Sequence, residues 1–340
     1  MKGLRTFLVI ALLIGMLAVP RASHAGKLGA NVVALFPKDV GEFAYADLKK
    51  ARQLKWFKPL EDQMLPGRLK EFERFLSSAG VDPNSQVDEL AWAIVNESAP
   101  ARKQGNGGDK DTESTGGGEQ LVGVALGSFN PGATADAYAK QKLPVTKVHG
   151  YNLYAFGGAG ASDLSFFFID SNTAAFGHRA MLEKLIGVRF GEEESLLRNE
   201  KLFPLINEAN SGGVVWAVLN PYYTRMALSQ LAPEIGQFPE AAKLTQRMKS
   251  LIINFEASSG VDGHFQAICG SVEDANTLSA LVQAGFLYRR YQEGQSNPDL
   301  AQLFDQARVS AKGDRLDLKM SLSDDQMASL IRKNTFAFKM

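Results

Sequence analysis

Val309-Ser310-Ala311-Lys312-Gly313-Asp314-Arg315-Leu316-Asp317-Leu318-Lys319-Met320-Ser321-Leu322 decides how the rest of this chain is read. Leu316, Leu318, Met320 and Leu322 alternate with polar residues, so one face of the segment is apolar and the other wet, as in a half-buried strand. Gly313-Asp314 supplies the tight reversal that returns it against Val309-Ser310-Ala311. Ser323-Asp324-Asp325-Gln326 follows with capping-box spacing, and Met327, Leu330 and Ile331 recur at helical intervals. The unit is a strand pair followed by an amphipathic helix.

Working toward the N-terminus, the same unit recurs. Leu251 to Ala257 and His264 to Gly270 read as strands around Gly260-Val261-Asp262-Gly263, and Ser271-Val272-Glu273-Asp274 opens a helix. Leu278, Leu281, Val282 and Phe286 mark one side of that helix. Acids in its first turn and Arg289-Arg290 near its end suit the helix dipole. Leu90 to Asn96 and Gln120 to Gly127 form an earlier pair, followed by a helix from about Ala133 to Lys140. Asn152 to Phe156 pairs with Leu164 to Ile169, and Thr173 to Phe176 leads into a helix from Arg179 to Ile186. Leu69, Phe72, Leu76 and Ala79 mark a helix ended by Gly80 and Asp82-Pro83.

Helices that follow strand pairs, not single strands, indicate an α+β fold with antiparallel sheet and helices packed on one face. Two domains are expected, at 26–211 and 212–340, meeting near Ser211-Gly212-Gly213; a single continuous sheet is the alternative.

Residues 1–25 read as a leader. Lys2 and Arg5 precede the uncharged run Phe7 to Val19, and Ser23-His24-Ala25 fits a signal-peptidase site before Gly26. Thirteen residues of helix span only about 20 Å, short of a ~30 Å hydrocarbon core. Export with cleavage between Ala25 and Gly26 is therefore expected, to the periplasm or the medium. With Lys2, Arg5 and Arg21 removed from 37 basic and 37 acidic residues, the mature balance is −3. That balance excludes a strongly basic nucleic-acid binder. Cys269 is the only cysteine, so no intramolecular disulfide forms, and its alternation with Phe265 and Ala267 places it as a buried, inert thiol. No transmembrane segment is expected after the leader.

Local chemistry signatures fail on spacing. Gly157-Gly158-Ala159-Gly160-Ala161-Ser162 is glycine-rich, but a strand follows it where a phosphate loop needs a helix. Asp109-Lys110-Asp111-Thr112-Glu113 carries alternate acids, with Ser114 where a calcium loop needs glycine. Both read as connections, the second inside a glycine-rich charged loop from Ser98 to Glu119, expected to be mobile. His149, His178 and His264 lie too far apart for a local zinc pair. No catalytic, metal or cofactor-binding residue is assigned, and no cofactor is expected.

Two patches mix aromatic with basic residues: Tyr222, Tyr223 and Arg225, and Tyr288, Arg289, Arg290 and Tyr291. Stacking and cation–π contacts make them the candidates for surface recognition. Gly80-Val81-Asp82-Pro83, Val124 to Asn130, Gly150 to Tyr154 and Ser195 to Asn199 resemble segments of exported bacterial proteins of no known activity. That resemblance implies repeated hairpin-plus-helix modules around a central sheet, and no site. The expectation is an exported binding or interaction protein of the bacterial cell envelope. A hydrolase assembled from distant residues such as Asp170 and His178, or a carrier of a hydrophobic ligand, are the alternatives.

Overall fold

In the computed structural model, which describes residues 27–64, 74, 76–96, 119–156, 164–231, 239–257, 260–294 and 297–333, twelve strands join in one antiparallel sheet. They are β1 (Glu42–Asp47), β2 (Val87–Asn96), β3 (Glu119–Gly127), β4 (Val145–Val148), β5 (Tyr151–Ala155) and β6 (Leu164–Phe168). The chain continues with β7 (Thr173–His178), β8 (Val215–Leu219), β9 (Ser250–Glu256), β10 (Gly260–Ile268), β11 (Arg308–Lys312) and β12 (Arg315–Ser323). Their order across the sheet is β11-β12-β10-β9-β8-β1-β2-β3-β7-β6-β5-β4. β1, the first strand in sequence, sits between β8 and β2, so the sheet runs without a break across residues 211–212.

The helices that matter below are α1 (Ala30–Val33), α2 (Leu48–Ala51), α3 (Phe57–Met64), α4 (Pro83–Gln86), α5 (Pro131–Gln141) and α6 (Arg179–Phe190). After them come α7 (Phe203–Ala209), α8 (Pro221–Leu231), α9 (Pro239–Gln246), α10 (Val272–Glu293), α11 (Pro298–Gln306) and α12 (Asp324–Arg332). The strand-pair-plus-helix unit is present as β2-β3-α5, β6-β7-α6, β9-β10-α10 and β11-β12-α12. The capping box at Ser323 and Gln326 starts α12 as its sequence requires, each satisfying a free N–H at the helix end.

Helices cover both faces in the middle of the sheet, where one covered face was expected. All six residues of β1 are buried. Phe43 and Tyr45 enter an apolar cluster with Trp216, Val33 of α1, Met181 and Leu185 of α6 and Ile206 of α7. Ala44 and Ala46 point the other way, toward Leu60 of α3, Ala227 of α8, Leu278 of α10 and Met327 of α12. A strand apolar on both sides must be covered on both sides. At the C-terminal end the expectation holds. Leu316 and Leu322 of β12 face the helices, while Lys319 and Ser321 face solvent.

Two boundaries and one helix face differ from the sequence reading. β10 begins at Gly260 instead of His264, because Gly260 takes a φ of +143° and passes close to the Leu322 carbonyl of β12. Glu119 is the first residue of β3 and not the end of a loop. Leu281 sits on the outward side of α10, away from Leu278 and Val282. The leader, residues 97–118, the Gly157–Ser162 run and most of the Leu69–Ala79 helix lie outside the described residues.

Candidate functional site

α10 is apolar on two sides. Ser271 caps its first turn by accepting from the Asp274 N–H, and Glu273 and Asp274 lie at the positive end of the helix dipole. Leu278 and Val282 pack on the sheet, and Phe286 meets Phe304 of α11 at 5.5 Å between ring centroids. The remaining apolar residues face outward. Leu281 and Tyr288 are seven positions apart and Tyr291 three further on, a spacing that puts them on one helix stripe. Leu287 is 65% exposed, Tyr288 61% and Tyr291 86%. Gly285 lies on the same stripe, and a Cβ added there would touch nothing within 4 Å.

Polar groups frame this stripe. Arg290 Nη1 is 3.2 Å from Asp305 Oδ1 of α11, and Gln292 Nε2 donates to the Tyr288 hydroxyl at 2.7 Å. Arg289 is half-buried. Of the four residues singled out here from sequence, the two tyrosines present their rings to solvent and the arginines sit at the rim.

The second patch is divided by its helix. Tyr222 is 44% exposed, whereas Tyr223 is fully buried and Arg225 half-buried. Asn220 accepts from the N–H groups of both tyrosines at the start of α8, which turns successive side chains to opposite sides. Tyr223 belongs to the core and Tyr222 alone remains at the surface, so these residues do not form one patch.

Tyr223 instead joins a buried polar seam that sequence reading did not anticipate. Glu42 of β1 lies 1% exposed among apolar residues, and burial, aided by the Glu119 charge, pushes its carboxyl up to about 8. The Trp92 indole faces that carboxyl and slightly favours its charged form, without closing a hydrogen bond of normal geometry. Burial, then Glu119 and Glu42, raise the Tyr223 phenol well above its ordinary range. Glu42 Oε2, Trp92 Nε1 and the Tyr223 hydroxyl have no hydrogen-bond partner among the described residues. Nothing in the sequence distinguishes Glu42 from a surface carboxylate. Its burial arises only because β1 is inserted between β8 and β2.

The histidines are held separately. His178 precedes α6, and its Nδ1 accepts from the Leu121 N–H at 2.8 Å. Asp170 accepts from the Asn172 N–H in the β6–β7 turn, so these two residues are engaged elsewhere and form no dyad among the described residues. His149 occupies the β4–β5 turn with φ +46°, followed by Gly150 at +86°, the geometry of a two-residue hairpin turn. His264 lies within β10, where its Nε2 is 2.8 Å from Asp317 Oδ1 of β12. Cys269 is buried, and burial pushes its thiol up to about 11. No group of three metal-ligating side chains occurs among the described residues.

No family model and no curated protein matches the chain. Among solved structures, crystal form I of TP0453 is similar over 91% of this chain and 99% of that one, with a TM-score of 0.50 and 11% identity. Crystal form III of TP0453 is similar over 88% of this chain and 97% of that one, with a TM-score of 0.51 and 10% identity. At such identity the likeness is one of fold, a mixed α+β architecture shared along nearly the whole length.

Proposed function

We propose that this chain is exported with cleavage between Ala25 and Gly26 and acts as a binding protein of the cell envelope, docking a protein partner on the outward stripe of α10. The observation that carries the reading is the exposure of Leu281, Leu287, Tyr288 and Tyr291 on a helix whose other side is already committed to the core. Clustered tyrosine ringed by arginine is the composition of protein interface centres, where rigid aromatic rings bury large area at small entropic cost. Action by binding, without catalysis, is part of this proposal. Among the described residues no helix is long and apolar enough to cross a membrane.

Site-specific photo-crosslinking in the full chain tests the reading. A photoreactive residue at Tyr288 should give a discrete protein adduct in the envelope, absent when the probe stands at Lys140 of α5. Leu287→Ala together with Tyr291→Ala should abolish the adduct. Identical adducts from both positions, or none from position 288, would overturn the assignment. N-terminal sequencing of the exported chain should begin at Gly26.

A further inference from the structure

At the C-terminal end of the sheet, the face opposite α10, α11 and α12 carries no helix among the described residues. α7 is the last helix on that side and lies over β8 and β9, with only its Glu208 reaching Arg315 of β12 at 2.6 Å. Beyond it, the outward residues of β12 and β11 are polar, as are Asp262, His264 and Gln266 of β10, with Ile268 the apolar exception opposite Arg315. The register places Arg308 of β11 directly opposite Lys319 of β12, and Lys312 opposite Arg315. Directly opposed like charges on neighbouring strands destabilise a sheet. Here two such pairs lie on one face, four residues apart.

The acids of β10 and β12 on this face have hydrogen-bond partners of their own. Asp317 receives His264 and Gln266, at 2.8 and 3.1 Å, and Asp262 accepts from the Ser321 hydroxyl. Arg315 is paired with Glu208 and also donates to Gln266. Arg308, Lys312 and Lys319 are exposed and have no ion-pair partner among the described residues. The chain is close to neutral as a whole, and Arg308, Lys312 and Lys319 leave three cations without an ion-pair partner among the described residues at this corner.

We propose that this open face of β11 and β12 docks an acidic polypeptide segment. The cations stand in two rows four residues apart along the strands, about 13 Å at ~3.3 Å per residue. Carboxylates at positions i and i+4 of an extended segment match that interval. A polymer charged at every repeat would also meet Asp317 and Asp262 between and beside the rows, so spaced carboxylates fit better than a uniform polyanion. The segment lies across the face and not along the edge, because the Val309 carbonyl of β11 accepts from Gln283 Nε2 of α10 at 3.2 Å. That contact covers part of the outer edge of the sheet. This surface is separate from the outward stripe of α10 and does not depend on it.

Fluorescence anisotropy with the full mature chain tests the proposal. The probe is a labelled nonapeptide, Glu-Thr-Thr-Thr-Glu-Thr-Thr-Thr-Glu, with an all-Gln counterpart as control. The Glu peptide should bind and the Gln peptide should not. Arg308→Glu, Lys312→Glu and Lys319→Glu together should weaken binding at least about tenfold, and raising salt from 50 to 300 mM should weaken it similarly. Tyr288→Ala should leave it unchanged. Circular dichroism and thermal unfolding of the triple variant verify its fold. Equal affinity of the wild-type and folded triple-variant chains, or binding of heparin without binding of the Glu peptide, would overturn the proposal. Single Arg308→Gln and Lys319→Gln variants, each expected to lose severalfold in affinity, keep the test open if the triple variant does not fold.

Discussion

Trp56 donates its indole N–H to the Asp324 carboxylate at 2.8 Å across 268 positions of chain. The bond ties the segment entering α3 to the first turn of α12, and Gln63 of α3 reinforces it by donating to the Ile331 carbonyl. The C-terminal helix is thus held by residues from the first quarter of the sequence. Trp56→Phe keeps an aromatic ring, though a smaller one, and removes the donor. It should lower unfolding stability by about 1.5–3 kcal/mol, the usual value of a hydrogen bond to a charged group. Urea unfolding measures it, and an unchanged midpoint would show that the bond contributes nothing.

Glu42 makes folding pH-dependent. Its carboxyl holds its proton more tightly in the folded chain, to about 8, than in the unfolded chain, near 4.5. Below about pH 4.5 both states are neutral and the contribution to stability is at its greatest. As pH rises toward 8 the unfolded chain ionises first, so stability falls across that window and levels off above it. Glu42→Gln should flatten this slope and make the variant the more stable chain at pH 8. Unfolding midpoints collected from pH 5 to 8.5 decide the matter, and parallel profiles for the two chains would refute it.

Gly260 occupies a backbone conformation that other residues rarely adopt, and an added Cβ would strike the Leu322 carbonyl oxygen. Gly260→Ala should therefore cost about 2 kcal/mol or more, by strain at φ and by separation of β10 from β12. Thermal unfolding should show the loss.

Gly285 presents the opposite case. It lies within α10, exposed, with open space where a Cβ would go. Gly285→Ala should stabilise the chain by roughly 0.5–1 kcal/mol, through reduced freedom of the unfolded state and better helix propensity. A loss of stability on calorimetry would mean that the helix is not regular at this point.

Cys269 should resist thiol reagents. Buried beneath α10 with its thiol pushed up to about 11, it offers almost no thiolate at neutral pH. Labelling by a disulfide exchange reagent should be many times slower in the native chain than in urea. Equal rates would place the sulfur at the surface.

Part of this architecture is written locally in the chain. Alternation from Leu316 to Leu322, the Gly313-Asp314 reversal and the Ser323-to-Gln326 cap each involve residues a few positions apart, and all three appear in the structure. Period-2 and period-3.6 patterns record which side of an element is buried, so the antiparallel α+β class followed from them. The outward placement of Tyr288 and Tyr291 was also legible, because both fall late in a helix whose inner positions were already occupied by Leu278, Val282 and Phe286. The insertion of β1 between β8 and β2 was not. Its six buried residues carry no alternation, since both faces are covered, and strand order depends on contacts more than 40 and about 170 positions away. For the same reason only the tertiary structure decided that Glu42 is a buried acid and that Tyr223 leaves the surface, whereas the pairing of Arg308 and Lys312 with Lys319 and Arg315 follows from the two-residue turn at Gly313-Asp314. Periodicity fixes which way a side chain faces. Pairing register fixes what it meets, and register belongs to the whole sheet.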